Sequence, residues 1–415
     1  MPLATPAFDI IIRGPFMKLQ TDLLAAEEAS RIYGRRGGRR ILHSILPTGA
    51  YDWLRGYRLR FNASDLGRRW HSFEAGLLAL TARSGVLSGL HYTLFSREFD
   101  REHRAVLAAR ARHVADVYAG RGNLYMLRRN VHRIEKGLIM KPARPLFALA
   151  MIEETVRAFG DCLARAQENQ SADIVSLQWA DQILQEYFGR VDNHPIVARA
   201  RTAYEAVVAR EAARLADEQN RTPFKRGTSA GLPTIEAMEA LALHRRSVRW
   251  FDDRPVPRAV IDRAVDVAGF SPTACNRQPF RFEVFDTPEA VARVGAIPKG
   301  TPGWLHQIPC FLVIIGKFEA FRFERDRHIP YIDGCLSAMS LIYALEVQGV
   351  SSCCVNFPDY ADTERRMAET LGLPPWERAV MCLAIGYPDA EERVPYSQKL
   401  PLAALRRYNH FADPD

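Results

Sequence analysis

Two short runs in the second half of the chain hold the residues best suited to chemistry. The first is Arg245-Arg246-Ser247-Val248-Arg249-Trp250-Phe251, with three guanidinium groups and a hydroxyl inside five residues. That density suits a phosphate, which offers two negative charges and several acceptor oxygens to arginine forks. The second is Ser271-Pro272-Thr273-Ala274-Cys275-Asn276-Arg277-Gln278-Pro279-Phe280. This is a turn-forming run in which small residues and amides precede an apolar strand. It can bring backbone close to a planar ligand and supply directional hydrogen bonds to its edge. Between them the two runs can hold a phosphorylated cofactor. A competing reading places Arg245 and Arg246 in the last turn of a helix, where the macrodipole favours cations without any ligand. It accounts for either arginine alone and less well for the full Arg-Arg-Ser-x-Arg set.

Thr234 is placed to cap a helix with Ile235, Met238, Leu241 and Ala242 on one face and Glu236 in its first turn, running into Arg245 and Arg246. Pro257 opens a second helix, with Val260, Ile261, Ala264, Val265 and Ala268 on its buried side and a stop at Gly269. Strands are expected at Arg281–Phe285, Cys310–Gly316, Ser351–Val355 and Ala379–Tyr387, and helices at Pro288–Val294, Asp333–Val347 and Asp362–Leu371. Cys310–Gly316 is apolar throughout and belongs in the middle of a sheet. The helix from Asp333 is apolar on most sides and must be covered on most sides, with a partner subunit as one candidate cover.

Earlier in the chain, Phe8–Ile12 is an apolar run, and Gly34–Arg40 is a basic, glycine-rich loop. That loop reads either as a phosphate or nucleic-acid contact or as a solvated connection. The absence of a following Gly-Lys-Ser/Thr favours the second. From Ser64 to Val207 the pattern is helical nearly throughout. Asn130–Leu138 crowds polar and ionisable side chains around Val131 and Ile134. It reads as an acid/base cluster or, preferably, as a helix whose charges pair locally and which ends at Gly137. Glu218–Gly231 is polar and rich in breakers. The expected organisation is a mostly helical domain over 1–217, a linker over 218–232 and an α+β domain over 233–411.

The chain has 415 residues, 47% hydrophobic and 25% charged, which fits two ordinary globular domains. A net charge of +8 is compatible with nucleic acid, an anionic membrane or anionic small molecules. The basic residues are scattered, so the charge reads as solvated surface plus one or more anion sites, with no clear nucleic-acid signal. Seven cysteines, an odd number with only Cys353-Cys354 close together, argue against a disulfide framework. No Cys-x-x-Cys or Cys/His spacing suggests zinc, and no metal is expected. The N-terminus lacks the pattern of a secretory signal, and the best membrane candidate, Ala75–Phe95, is interrupted by Arg83 and His91. A cytoplasmic, soluble protein is expected.

The C-terminal region resembles the nitroreductase-like family of flavin oxidoreductases. The resemblance rests on four signatures in order: Arg245–Arg249, Ser271–Phe280, Gly349-Val350-Ser351-Ser352-Cys353-Cys354-Val355-Asn356, and Ile385-Gly386-Tyr387-Pro388 followed by Lys399-Leu400-Pro401. It covers none of the N-terminal half. It implies a mixed, mainly antiparallel sheet flanked by helices, with FMN bound at a homodimer interface. Arg245, Arg246, Ser247 and Arg249 would then grip the phosphate, ribityl chain and pyrimidine side, with Lys399 as a further cation. Pro272, Thr273, Ala274, Asn276 and Gln278 would reach the flavin of the other subunit. Cys354, Val355, Asn356 and Phe357 would lie near flavin N5 and O4, with the Asn356 backbone as the group nearest the chemistry. A donor near N5 matters because hydride adds there and the reduced ring carries extra charge.

Two departures accompany the resemblance. The stretch Ile297–Trp304 does not align with the family's Asn and Lys at the flavin's pyrimidine edge, although Lys299 lies within it. Asn356 stands where an acidic residue can occur. The implied activity is FMN-dependent hydride transfer from NADH or NADPH to a small acceptor of the nitro or quinone type. Two alternatives are an FMN-dependent dehydrogenase passing electrons to oxygen, and a non-catalytic flavin-fold scaffold. The N-terminal half is left without a role.

Overall fold

A computed structural model describes residues 64–94, 96, 99–118, 122–166 and 171–411. The Phe8–Ile12 run and the Gly34–Arg40 loop lie outside the described residues. The helical part comprises α1 (Asp65–Thr81), α2 (Gly85–Leu94), α3 (Asp100–Tyr118), α4 (Leu124–Leu138), α5 (Ile152–Arg165), α6 (Ser171–Arg190) and α7 (Pro195–Leu215). The Ala75–Phe95 segment falls across α1 and α2. Among the described residues no helix is long and apolar enough to cross a membrane.

Helices α4 to α7 share one core, in which Leu127, Val131, Ile134, Phe159, Leu163, Leu184 and Tyr187 are almost fully buried. The crowded Asn130–Leu138 stretch lies on α4. Val131 and Ile134 point into this core, and His132 Nδ1 lies 3.2 Å from Glu135 Oε2, so its charges do pair locally.

No helix or strand occurs between Leu215 and Ile235. Beyond it come α8 (Ile235–His244), α9 (Arg258–Gly269), β1 (Phe280–Phe285), α10 (Pro288–Gly295), β2 (Cys310–Lys317), α11 (Ile329–Glu346), β3 (Ser351–Val355), α12 (Ala361–Leu371), β4 (Glu377–Gly386) and α13 (Leu402–Leu405). The strands form one sheet in the order β1-β2-β4-β3, antiparallel at every pairing. The fold is α+β, as its periodicities imply.

β2 sits inside the sheet because it can bury both faces. Phe311, Val313 and Ile315 pack with Val291 and Val294 of α10 and Met367 of α12. The alternate residues Leu312 and Ile314 pack with Leu341 and Leu345 of α11 and Ile261 and Ala264 of α9. Truncating Leu312 to Ala would cost about 2–5 kcal/mol of stability.

Three expectations need correction. α11 starts at Ile329, four residues before Asp333, because Pro330 suits a first helical turn and supplies no N–H that the turn would miss. α8 ends at His244, so Arg245 and Arg246 are not in its last turn; Arg245 is already extended at φ −56°, ψ 124°. Among the described residues the expected apolar face of α8 has no buried side chain; Leu241 is half-buried and Ile235 remains 66% exposed.

The helical part docks directly on the sheet region. Val106 and Ala109 of α3 bury against Phe318, and His113 Nδ1 lies 2.8 Å from the Glu319 carbonyl. At either end of that contact, Arg101 donates to the Asp359 carbonyl at 2.7 Å and Arg110 donates to that of Arg322 at 3.1 Å.

Candidate functional site

The first arginine run leaves α8 and lies along β3. Ser247 forms a parallel bridge with Ser352, and Val248 N donates to the Ser352 carbonyl at 3.1 Å. Val248 and Phe251 are buried anchors, whereas Arg249 between them is exposed. Further on, Asp252 N donates to the Tyr387 carbonyl at 3.0 Å, and Asp389 N to that of Trp250 at 3.1 Å. The strip is thus tied to β3 and to the end of β4. Behind it His244 Nδ1 lies 2.9 Å from Glu346, which also accepts from Ser351 Oγ at 3.3 Å.

Among the described residues Arg245, Arg246 and Arg249 form no ion pair. Their charge is felt by the neighbouring strand. Desolvation raises the thiols of Cys353 and Cys354, and Arg249 and Arg245 respectively pull them partly back. A strip of unneutralised guanidinium groups against a strand edge has the donor chemistry of an oxyanion site.

The far end of β3 meets the loop that did not align. A side chain at Gly300 would come within 2.9 Å of Asn356 N and 3.1 Å of Val355 Cγ1, so only glycine lets this loop reach β3. Trp304 Nε1 donates to the Gly300 carbonyl at 2.9 Å, and Thr301 Oγ1 to that of Gly295 at 2.6 Å. The Trp304 ring is 6.0 Å from the Arg249 guanidinium, and Lys299 Nζ is 3.7 Å from the Tyr360 ring centroid. Asn356 is exposed and Phe357 half-buried. Arg245–Arg249, Lys299–Trp304 and Cys353–Phe357 therefore form one continuous face. Sequence reasoning missed Gly300 and Trp304, although the turn Gly300-Thr301-Pro302-Gly303 was there to be read. Among the described residues no hydrogen bond or ion pair ties Lys399 to this face; it lies in an exposed stretch where its carbonyl accepts from Gln398 at 2.9 Å.

The second run forms a tight turn with Cys275, Asn276 and Gln278 at φ of 53°, 52° and 50°. Left-handed backbone at non-glycine residues costs on the order of 1 kcal/mol or more each and persists only where surroundings over-determine it. Here Ala274 N donates to Asp333 Oδ2 at 3.0 Å, Gln278 N to Thr273 Oγ1 at 3.2 Å, and Gln278 Nε2 to the Gly269 carbonyl at 3.0 Å. The strongest brace comes from the helical part. Arg128 of α4 donates to the Asn276 carbonyl at 2.7 Å, to Gln278 Oε1 at 3.0 Å and to Ser176 Oγ at 2.7 Å, with Trp179 5.4 Å away. Nothing in the sequence points to Arg128, which lies 148 residues from Asn276.

Within one chain the two runs do not meet. The turn precedes β1 on one edge of the sheet, whereas the arginine strip lies beyond β3 on the other. They also sit at opposite ends, since Phe280 pairs with Gly316, which pairs with Arg378, while Ser352 pairs with Ile385. At ~4.8 Å between strands and ~3.4 Å per residue, the separation is roughly 30 Å.

Residues 242–301 and 293–387 match the nitroreductase family profile. The C-terminal region is thus similar to the nitroreductase family. Of this region, 99 residues are 37% identical to a putative NADH dehydrogenase/NAD(P)H nitroreductase of Caulobacter sp. (strain K31), over 24% of this chain and 50% of that protein. An NADH dehydrogenase of Thermus thermophilus is 29% identical over 206 residues, 42% of this chain and 96% of that one. Human iodotyrosine deiodinase 1 is 24% identical over 186 residues, 38% of this chain and 63% of that one. The chain thus spans half of the Caulobacter relative and less than two thirds of the human one. Among solved structures, an FMN-dependent nitroreductase from Clostridium difficile superposes with a TM-score of 0.37 at 22% identity, over 42% of this chain and 100% of that one.

Proposed function

We propose that the protein is an FMN-dependent oxidoreductase that passes hydride from NADH or NADPH to a small-molecule acceptor. The observation that carries this reading is the face along β3. At one end stand Arg245 and Ser247, with Arg249 further along the strip and, among the described residues, no carboxylate to neutralise the arginines; at the other, four residues along β3 from Ser352, stands the exposed Asn356. At ~3.3 Å per residue the two ends are about 13 Å apart, a separation that suits a planar ring joined by a polyol chain to a phosphate. Arg245, Ser247 and Arg249 would hold the phosphate, ribityl chain and pyrimidine side between them, and Asn356 and Phe357 would border the ring. Bound there, FMN supplies a hydride acceptor and donor at N5.

The diagonal separation of the two runs supports a homodimer in which Pro272–Gln278 of one subunit completes the site of the other. Apolar surface is available for such an interface. Leu336 and Met339 on α11, and Leu400, Leu402 and Leu405 near the C-terminus, are exposed. On this reading 1–217 is a helical domain, 218–232 a connector and 233–411 the flavin domain, with Arg128 linking the first to the third.

The test is direct. The purified protein should be yellow or take up added FMN, and NADH or NADPH should bleach it without oxygen. A colourless protein that refuses FMN rejects the reading. A flavoprotein that neither nucleotide reduces points to a dehydrogenase or oxidase. The names of the relatives set the acceptor panel as nitroaromatics, quinones and halogenated phenols.

A further inference from the structure

A basic cavity lies where the helical part meets the sheet region, independent of the flavin reading. A cavity of about 200 Å³ there is lined by Arg129 from α4, Arg277 from the strained turn, and Arg322 and Arg325 from the segment after β2. Among the described residues none of these four arginines is in an ion pair. Glu154 and Asp326 line the same cavity, so four positive charges less two negative ones leave an excess of two. His113 also lines it, but its Nδ1 faces the Glu319 carbonyl at 2.8 Å and burial lowers its pKa, so it adds no charge at neutral pH.

Arg277 makes the arrangement unusual. It is only 9% exposed, stacks 4.7 Å from the Phe321 ring and donates through Nη1 to the Ala274 carbonyl at 3.2 Å. Its Nε is buried with no hydrogen-bond partner. A buried guanidinium N–H without an acceptor is costly, and so is a buried guanidinium held beside other like charges. Burial already weakens the hold of Arg277 on its proton, and the charge of Arg129 adds to the strain. One doubly charged tetrahedral oxyanion relieves both costs, because guanidinium forks match it bidentately. The cavity exceeds the size of a single water, and Tyr118 and Phe323 flank it with aromatic surface.

We propose that this cavity binds a phosphate group, as free phosphate or as the phosphomonoester of a small molecule. Arg277 stands between Asn276 and Gln278, so the bound phosphate would stiffen the turn that Arg128 braces from the other side.

The test is calorimetric titration of inorganic phosphate into the full chain at fixed ionic strength, alongside thermal midpoints. Arg322→Gln/Arg325→Gln changes two exposed arginines and should fold normally; Arg249→Ala disables the separate strip on β3. The expected result is saturable binding in the wild type and in Arg249→Ala, weakened at least tenfold in Arg322→Gln/Arg325→Gln. Arg277→Gln should abolish it; if that variant fails to fold, the exposed pair decides. Unchanged binding in the exposed pair overturns the proposal, as does binding lost in Arg249→Ala alone. So does a midpoint shift that sodium chloride reproduces at equal ionic strength. Competition by glycerol phosphate separates the sources: tighter than inorganic phosphate indicates a phosphomonoester, weaker indicates the free ion.

Discussion

The guanidinium of Arg249 is exposed, next to Trp304 and, among the described residues, without a carboxylate. If it holds FMN, Arg249→Ala should weaken FMN retention by about 10- to 100-fold, the worth of one charged hydrogen bond. Circular dichroism should be unchanged, and equilibrium dialysis of the flavin decides the point. Arg128 acts at a distance. Arg128→Met would strand the Asn276 carbonyl and Gln278 Oε1 without their donor, so unfolding in urea should show a loss of about 1–3 kcal/mol. The contrast between these two arginines shows what a sequence reveals. Arg249 was visible because its partners lie within a few residues. Arg128, Arg277 and Gly300 were not, because each acquires its role from backbone that arrives through tertiary packing.

α3 is one element through which the helical part meets the sheet region. It delivers His113 to the Glu319 carbonyl, while burial pushes the Glu319 carboxyl up to about 7. The sign follows from the direction. A carboxyl whose folded pKa lies above its ordinary 4.5 stabilises the fold fully below that value, and the contribution is lost as pH rises through about 7. Glu319→Gln should therefore match the wild type in stability near pH 4.5 and exceed it at pH 8 by on the order of 1–3 kcal/mol, read from urea midpoints. His113 is common to both proteins and cancels in the difference. Most elements were legible from periodicity: β3 falls on Ser351–Val355 as expected, and α9 stops at Gly269. The start of α11 and the exposure of α8's apolar face among the described residues were not, because a proline-led turn leaves little periodic trace and periodicity does not say what covers a face.

For the molecule as a whole, the sheet order matters most. β1-β2-β4-β3 puts the strained turn and the arginine strip on opposite edges, which no local pattern could have shown. The exposed apolar residues of α11 give the proposed interface a testable centre. Leu336→Glu should shift the protein from dimer to monomer in light scattering and lower flavin occupancy in parallel. A monomer that keeps its flavin would refute the shared site. The helical part, silent in sequence, braces the turn through Arg128 and shares a basic cavity with it.

If two chains share each flavin site as proposed, opposed edges also have a consequence for mixtures of damaged chains. Arg249→Ala spoils a subunit's own strip, whereas Asn276→Val forces a β-branched residue into φ 52° and spoils what it lends its partner. Each alone should yield dimers with no intact site. Refolded together in equal amounts, half the dimers should be mixed, each with one intact site and one doubly damaged, restoring about a quarter of wild-type flavin binding. Two inactive proteins would thus complement one another in a test tube.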